Sequence, residues 1–220
     1  MAPIPPLLEV AGESLTALPE RALLWGAERT LFVSDLHLGK SASFRAASIP
    51  VPRGVSDATL MRLSDVLHRT GPSRLVILGD LWHDLKGRTA EVERKLCDWK
   101  EQWPGLEILL VTGNHDVRTG RRTSTCGIVE RESMALGPFV CRHHPEPARE
   151  GYVLCGHVHP AVRLEGRGLQ ALRLPCFWFG AEVGVLPAFG EMTGTATIEP
   201  ERDDRVLAVV EDSVIPVWPA

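Results

Sequence analysis

The sequence predicts an α/β fold in which polar residues collect beyond the carboxyl ends of strands. Three observations carry that expectation. Between residues 30 and 111, apolar runs of strand length alternate with segments of helical period. Apolar runs along the first 160 residues end in Asp, Asn or His. After Ala161 the pattern turns to short alternating segments separated by Gly and Pro, which suggests β-structure.

Taken in order, residues 3–19 are Pro-rich at both ends and enclose a short apolar run, Leu7–Val10. Ala22–Trp25 and Thr30–Val33 flank Gly26-Ala27-Glu28-Arg29 and read as a hairpin. Gly39–Gly54, punctuated by Pro50 and Pro52, reads as a loop. Ser56 is placed to cap a helix running to about Arg69, because Leu60, Leu63, Val66 and Leu67 recur at helical spacing. Gly71-Pro72 stops it, and Arg74–Leu78 is the next strand. Thr89–Trp103 is a charged amphipathic helix with Val92, Leu96 and Trp99 on one face, ended by Pro104-Gly105. Glu107–Val111 is a strand, 117–127 a polar loop, and Pro138–Cys141 and Tyr152–Cys155 are two more short apolar runs. No repeat or compositional break divides the chain, so one domain over residues 1–220 is expected.

Composition narrows the function classes. The 220 residues carry 24 basic and 28 acidic side chains, a formal charge of −4, with 44% hydrophobic and 24% charged residues. That balance excludes a wholly disordered chain, a coiled coil and a collagen-like repeat. It argues against coating nucleic acid or an anionic membrane by bulk charge, so any nucleic-acid contact must be a local patch. The cysteines (Cys97, Cys126, Cys141, Cys155 and Cys176) are odd in number and form no C-x-x-C. Neither a disulfide framework nor a zinc ribbon is expected, and Cys141, Cys155 and Cys176 read as small buried hydrophobes. The N-terminus lacks the basic start and apolar stretch of a signal peptide, and no run approaches the roughly 18 apolar residues of a membrane span. A cytoplasmic location is the expectation.

The chemistry sits at five strand ends. Leu31-Phe32-Val33 leads to Asp35 and His37; Leu75–Leu78 leads to Gly79-Asp80; Ile108–Val111 leads to Gly113-Asn114-His115-Asp116. Phe139-Val140-Cys141 leads to His143 and His144, and Val153-Leu154-Cys155 leads to Gly156-His157-Val158-His159. Ligands gather beyond strand carboxyl ends in open α/β sheets. In extended chain, residues i and i+2 point the same way, so Asp35 with His37, and His157 with His159, can each face one point. The glycines before Asp80, Asn114 and His157 let backbone approach closely. The donors are oxygen and imidazole without thiolate, which suits Mn²⁺, Fe or Zn²⁺ better than a Ca²⁺ or Mg²⁺ cage. Seven donors exceed what one open ion takes; with a shared carboxylate they suit two ions about 3.5–4 Å apart, the clamp used for in-line displacement at phosphorus. His143 and His144 are adjacent and point oppositely if extended, so one of the two is the expected ligand.

These blocks resemble the calcineurin-like metallophosphoesterase superfamily: D-x-H at Asp35/His37, G-D at Gly79/Asp80, G-N-H-D at Gly113–Asp116, His143-His144-Pro145, and G-H-x-H at Gly156–His159. The resemblance implies a four-layer fold, two mixed β-sheets packed face to face and flanked by helices, with a dinuclear centre at the strand ends. It implies that Asp35, His37 and His159 bind one ion, that Asn114, His143 and His157 bind the other, and that Asp80 bridges. The family spacing His-x-Pro favours His143 over His144. His115 is implied to face the substrate phosphate, oriented by Asp116. The ions implied are two divalent metals, Mn first, with Fe, Zn or Co as alternatives. A narrower resemblance, through LHLGKSASFRAASIPVPRG, RLVILGDLWH, HHPEP and LRLPCFWFGAEVGVLPAFGEMTG, is to a bacterial subfamily of ligase-associated DNA-damage-response endonucleases. It implies a phosphodiesterase acting on single-stranded DNA, in functional association with a DNA-repair helicase and ligase. The alternatives are a phosphatase or cyclic-nucleotide phosphodiesterase for small phosphoesters, and a metal-bound scaffold that does not cut.

Several other residues are substrate-binding candidates. Lys40, Arg45 and Arg53 follow the first motif, and Arg118, Arg121 and Arg122 follow the G-N-H-D block; each set meets either phosphate or solvent. His83 and Asp84 stand either behind the ligands or in a surface loop. Trp178 and Phe179 read as core, with base stacking the alternative.

Overall fold

The computed structural model describes residues 5–52, 54–120, 126–165 and 171–219. The elements run in chain order as β1 (Leu7–Val10), β2 (Glu13–Leu18), β3 (Ala22–Trp25), β4 (Thr30–Val33), α1 (Lys40–Ala46), α2 (Val55–Thr70), β5 (Arg74–Leu78), α3 (Ala90–Glu101), β6 (Glu107–Val111) and α4 (Asn114–Arg118). They continue as β7 (Val129–Arg131), β8 (Met134–Leu136), β9 (Phe139–Cys141), β10 (Tyr152–Cys155), β11 (Pro160–Glu165), β12 (Ala171–Phe179), β13 (Val183–Val185), β14 (Ala196–Thr197), β15 (Arg205–Val210) and β16 (Ser213–Trp218).

Two mixed sheets result. The first follows chain order from β1 to β7, antiparallel as far as β4 and parallel from β4 to β7. The second runs β14-β11-β12-β13-β10-β9-β8, with β15 pairing β12 and β16. In this sheet β10 is parallel to both β9 and β13. Strand alternation decides which face each side chain takes. Leu31, Val33, Leu75, Ile77, Ile108 and Leu110 turn outward and are covered by Leu60, Leu63, Val66 and Leu67 of α2 and by Val92, Leu96 and Trp99 of α3. Phe32, Val76, Leu78 and Val111 turn inward against Phe139, Cys141, Leu154, Phe177 and Phe179 of the second sheet. The fold is therefore the expected pair of mixed sheets with flanking helices. Among the described residues, the flanking helices that carry apolar stripes lie on the first sheet. The outer face of the second is closed by smaller clusters around Val153 and Cys176 that include no helix residue.

The predicted hairpin is β3–β4, with Leu24 opposite Leu31. Thr89, read as the first residue of the charged helix, is the cap of α3, its hydroxyl accepting from Val92 N. Three local expectations are corrected. The segment read as a loop after Gly39 contains α1, which carries no apolar stripe; its buried faces are Ser41 and Ser43, and the Ser43 hydroxyl donates to Asp84. Ser56 does not cap α2: Gly54 occupies the cap at φ 84°, and the Ser56 hydroxyl accepts from Gly39 N at 3.0 Å, tying the helix to the first motif. Cys97 of α3 and Cys126 form a disulfide across 29 residues, with Cα atoms 4.9 Å apart. Sequence spacing hides this pair because α3 and the segment before β7 meet only in the tertiary fold. The other three cysteines are free and buried, as expected.

Candidate metal centre

The carboxyl ends of β4, β5, β6, β9 and β10 open at one place between the sheets. Parallel pairing aligns the ends, since Val33 registers with Ile77, Leu78 with Val111, and Leu154 with Cys141. Just beyond these ends the chain leaves extended geometry. Asp35, His37, Asp80, His157 and His159 all take left-handed backbone, at φ 52°, 48°, 47°, 68° and 51°. This corrects the i, i+2 reading: each D-x-H or H-x-H pair converges through a left-handed turn, where alternation along a strand was expected. Left-handed backbone costs L-residues about 1–2 kcal/mol apiece, and such residues cluster where surrounding structure holds them for a purpose.

The side chains form two groups around Asp80. On one side, Asp35 Oδ1 lies 3.4 Å from His159 Nε2, and His159 Nε2 lies 3.4 Å from His37 Nε2. On the other, His143 Nε2 lies 3.0 Å from Asn114 Oδ1 and 3.1 Å from His157 Nδ1. Asp80 Oδ2 stands between them, 3.5 Å from His143 Nε2 and 3.9 Å from His37 Nε2. Asp35 and Asp80 are 0% and 2% exposed, so bulk water does not compensate their charge. Of the adjacent histidines, His143 turns inward and is buried, while His144 is exposed with its ring 4.2 Å from that of His157.

Hydrogen-bond roles show what the cluster accepts. His143 Nδ1 faces the Leu78 carbonyl at 3.1 Å, and His159 Nδ1 faces the Gly194 carbonyl at 3.0 Å. A carbonyl only accepts, so each Nδ1 carries a proton, and in the neutral ring each Nε2 is left as a lone pair. Those lone pairs point at carboxylate oxygen, amide oxygen or another imidazole nitrogen. Lone pairs converging in a buried space repel one another unless a cation lies among them. Backbone carbonyls behind the imidazoles are the usual support for metal-binding histidines. Donor atoms of Asp35, His37 and His159, and likewise of Asp35, Asp80 and His143, fall within 4.8 Å of one another. The residues therefore fit divalent metal.

The electrostatics divide the imidazoles: burial lowers the His159 pKa, but the hydrogen bond and charge of Asp35 outweigh it and raise it above its ordinary value. Burial pushes the His37 pKa down to about 3, so its ring is a neutral donor at neutral pH. Burial raises Asp35, yet His159, His143 and His37 outweigh it and hold the carboxylate below its usual range. Burial raises Asp80, and the Asp35 charge adds to the effect against His143. Two carboxylates this close and this dry need positive charge between them.

Three glycines make room. Gly79 has φ 88°, and a Cβ there would fall inside the His143 ring. At Gly113 and Gly156 it would collide with the carboxylates of Asp80 and Asp35.

His115 stands beside this cluster. Its backbone N–H donates to Asp80 Oδ1 at 2.9 Å, and its Nδ1 contacts the His83 carbonyl. Its ring lies 5.0 Å from His37 and stacks on His83 at 5.4 Å and 20°. Asp116 does not touch the His115 ring, contrary to the implied role. Its carboxylate accepts from Gly113 N and Trp82 N, both at 2.9 Å, so it caps the α4 turn and holds it against the end of β5. Burial lifts the Asp116 pKa to about 6 despite these bonds. Arg88, buried with its guanidinium 4.7 Å over Trp82, donates to Thr119 Oγ1, and Thr119 in turn donates to the Asp116 carbonyl.

The remaining candidates divide. Lys40 is half-exposed at the start of α1, on the His83 side. Arg45 is exposed and reaches toward the Pro52 carbonyl, beside a groove formed with Gly54, Asp57 and Lys95. Arg118 is exposed at the end of α4. Arg53, Arg121 and Arg122 lie outside the described residues. Asp84 accepts from Ser43 and Gly87 and joins α1 to the turn after His83. Phe179 is buried core, and Trp178 is half-buried with its Nε1 donating to Asp204. Sequence reasoning passed over Phe44, whose ring packs 5.8 Å from that of His83; it falls on a helix without apolar period, which leaves no signal.

Comparison with known proteins adds to this geometry. Residues 28–145 match a family model described as calcineurin-like phosphoesterase. The fold superposes on the crystal structure of Pseudomonas putida nuclease MPE with a TM-score of 0.85 at 36% identity, covering 97% of this chain and 100% of that one. Yfce, a phosphoesterase from E. coli, aligns at 18% identity and a TM-score of 0.40, over 86% and 97% of the two chains. No curated protein sequence matches the chain.

Proposed function

The chain belongs to the calcineurin-like phosphoesterase family, hydrolases of phosphoester bonds, and from that premise we propose that it is a dinuclear, Mn²⁺-dependent phosphodiesterase that cleaves single-stranded DNA in bacterial DNA repair. The observation that carries the metal reading is the convergence of imidazole lone pairs on Asp35 and Asp80 in a buried space. The nucleic-acid reading is supported by the likeness, over nearly the whole chain, to a protein whose title calls it a nuclease.

In this reading Asp35, His37 and His159 hold one ion, Asn114, His143 and His157 hold the second, and Asp80 is shared. When bound, the ions supply Lewis acidity toward the phosphate and lower the pKa of water. The chain's residues do the rest. The buried carboxylates and carbonyl-braced imidazoles keep the donors in place, so no reorganisation is needed during reaction. His115, braced through His83 and Asp80, presents its second ring nitrogen toward the leaving oxygen and stabilises charge or donates a proton there. Asp116, through Gly113 and Trp82, positions the turn that carries Asn114 and His115. Phosphate contacts along a strand fall to Lys40, Arg45 and the arginines at 118, 121 and 122, because a net charge of −4 supplies no general attraction.

Assaying single-stranded DNA, bis-p-nitrophenyl phosphate and p-nitrophenyl phosphate side by side, after chelation and after Mn²⁺ addition, tests this function. Chelation should abolish all hydrolysis and Mn²⁺ should restore it, with both diesters cut. Activity confined to the monoester would replace this reading by a small-molecule phosphatase. Bound metal without hydrolysis of any of the three would favour a scaffold.

A further inference from the structure

Outside the ligand cluster, one wall of the centre has a composition that metal chemistry does not require. Helix α1 begins three residues after His37 of the D-x-H motif and places Lys40 and Phe44 one turn apart. Residues four apart share a helix face. Phe44 is only partly buried, and its ring stands 5.8 Å from His83 at 88°. His83 in turn lies 5.5 Å from the ring of His37 and stacks on His115. An unbroken series of rings thus leads from the donors to a half-exposed aromatic at the rim. Lys40 Nζ sits 5.8 Å from the Phe44 centroid, near the outer limit of a cation–π contact. Among the described residues no carboxylate pairs with it. The α1 helix is tied to its neighbours by Ser43 donating to Asp84 and by Gly39 N donating to Ser56.

Resting on the nucleic-acid reading above, we infer that Phe44 and Lys40 form a nucleotide subsite: the Phe44 ring stacks the base next to the scissile phosphate, and Lys40 meets the neighbouring phosphate. A half-exposed aromatic paired with an unneutralised cation is the combination by which single strands are bound without sequence preference. Core packing alone would call for neither the exposure of the ring nor the free charge beside it. The subsite selects for the presence of a base and is indifferent to its identity, because every base offers a π-face.

The test compares kcat/KM of the Mn²⁺-loaded protein on an oligothymidylate and on a strand of equal length whose residues are abasic. The native protein should prefer the strand with bases by about tenfold or more, the scale of one stacked base. Phe44→Leu keeps an apolar side chain of similar size and should lose most of that preference, whereas Phe44→Trp should retain it. Lys40→Gln should weaken both strands alike and flatten the log–log salt dependence of binding by about 0.7. An unchanged base-to-abasic ratio in Phe44→Leu, or no preference in the native protein, overturns the subsite while leaving the nuclease reading intact. If the native protein hydrolyses p-nitrophenyl phosphate but neither strand, the nuclease reading fails and the subsite falls with it.

Discussion

The bodies of β4, β5 and β6 and the turns that follow them are separated by one or two residues, yet they are built on opposite principles. In the bodies, Leu31, Val33, Leu75, Ile77, Ile108 and Leu110 pack under α2 and α3 with regular parallel register. In the turns, Asp35, His37 and Asp80 are equally buried, but they are polar, left-handed and set with acceptor facing acceptor. The bodies gain stability from every residue, at about 1.5–3 kcal/mol for a fully buried aliphatic side chain. The turns lose stability through backbone strain and crowded charge, and hold their shape because the strands beneath leave no alternative. The contrast teaches where a fold of this kind stores its capacity for chemistry: in a small costly region clamped by a large favourable one.

Four substitutions probe that contrast, in order of their expected effect on hydrolysis. Gly79→Ala should be the most severe. Its Cβ would occupy the space of the His143 ring on a backbone at φ 88°, so the variant should lose bound metal and fall to background activity. Elemental analysis together with a turnover assay decides this, and a fully metallated, active Gly79→Ala protein would show that the turns tolerate a side chain at this position. Asp80→Ala comes next. As the carboxylate between the two donor groups, its loss should release more metal per chain than Asn114→Ala, which touches one group; equal occupancy in the two variants contradicts the shared role.

His115→Ala sharpens the comparison within the site itself. Its ring braces on the His83 carbonyl and stands 5.0 Å from His37 outside the proposed ligand set, so metal content should persist while kcat drops by roughly 10²–10³-fold, the cost typical of losing one group that stabilises transition-state charge. Metal loss in this variant would move His115 into the ligand set. Leu63→Ala tests the opposite region. Leu63 is 0% exposed under the first sheet, and its truncation should cost about 2–5 kcal/mol in denaturant unfolding while metal content and kcat at moderate temperature stay as in the native protein. A matching fall in metal content would mean that the helix layer and the turns are not separable.

What the sequence determined by itself is the composition of both regions. Helices α2 and α3 and strands β5 and β6 were readable because one apolar side chain every three or four residues, or an unbroken apolar run, records which face is buried. The cluster of candidate donors was readable because Asp, Asn and His stand at successive strand ends, with Gly before three of them, a pattern that suits metal and phosphate. Short elements stabilised by tertiary partners stayed silent. Helix α1 is held by serine hydroxyls and has no stripe, and β2 shows only Leu15 and Ala17 as buried alternation before its neighbours complete the sheet. Only the tertiary structure decided that His143 faces inward and His144 outward, that Asp116 braces a turn and leaves the His115 ring to a carbonyl of His83, that Phe44 stands at the rim, and that Cys97 meets Cys126. The physical reason is common to all of these. A residue's type and spacing record how much water it avoids and what it can bind, whereas its direction depends on neighbours that are distant in the chain and arrive only when the two sheets close.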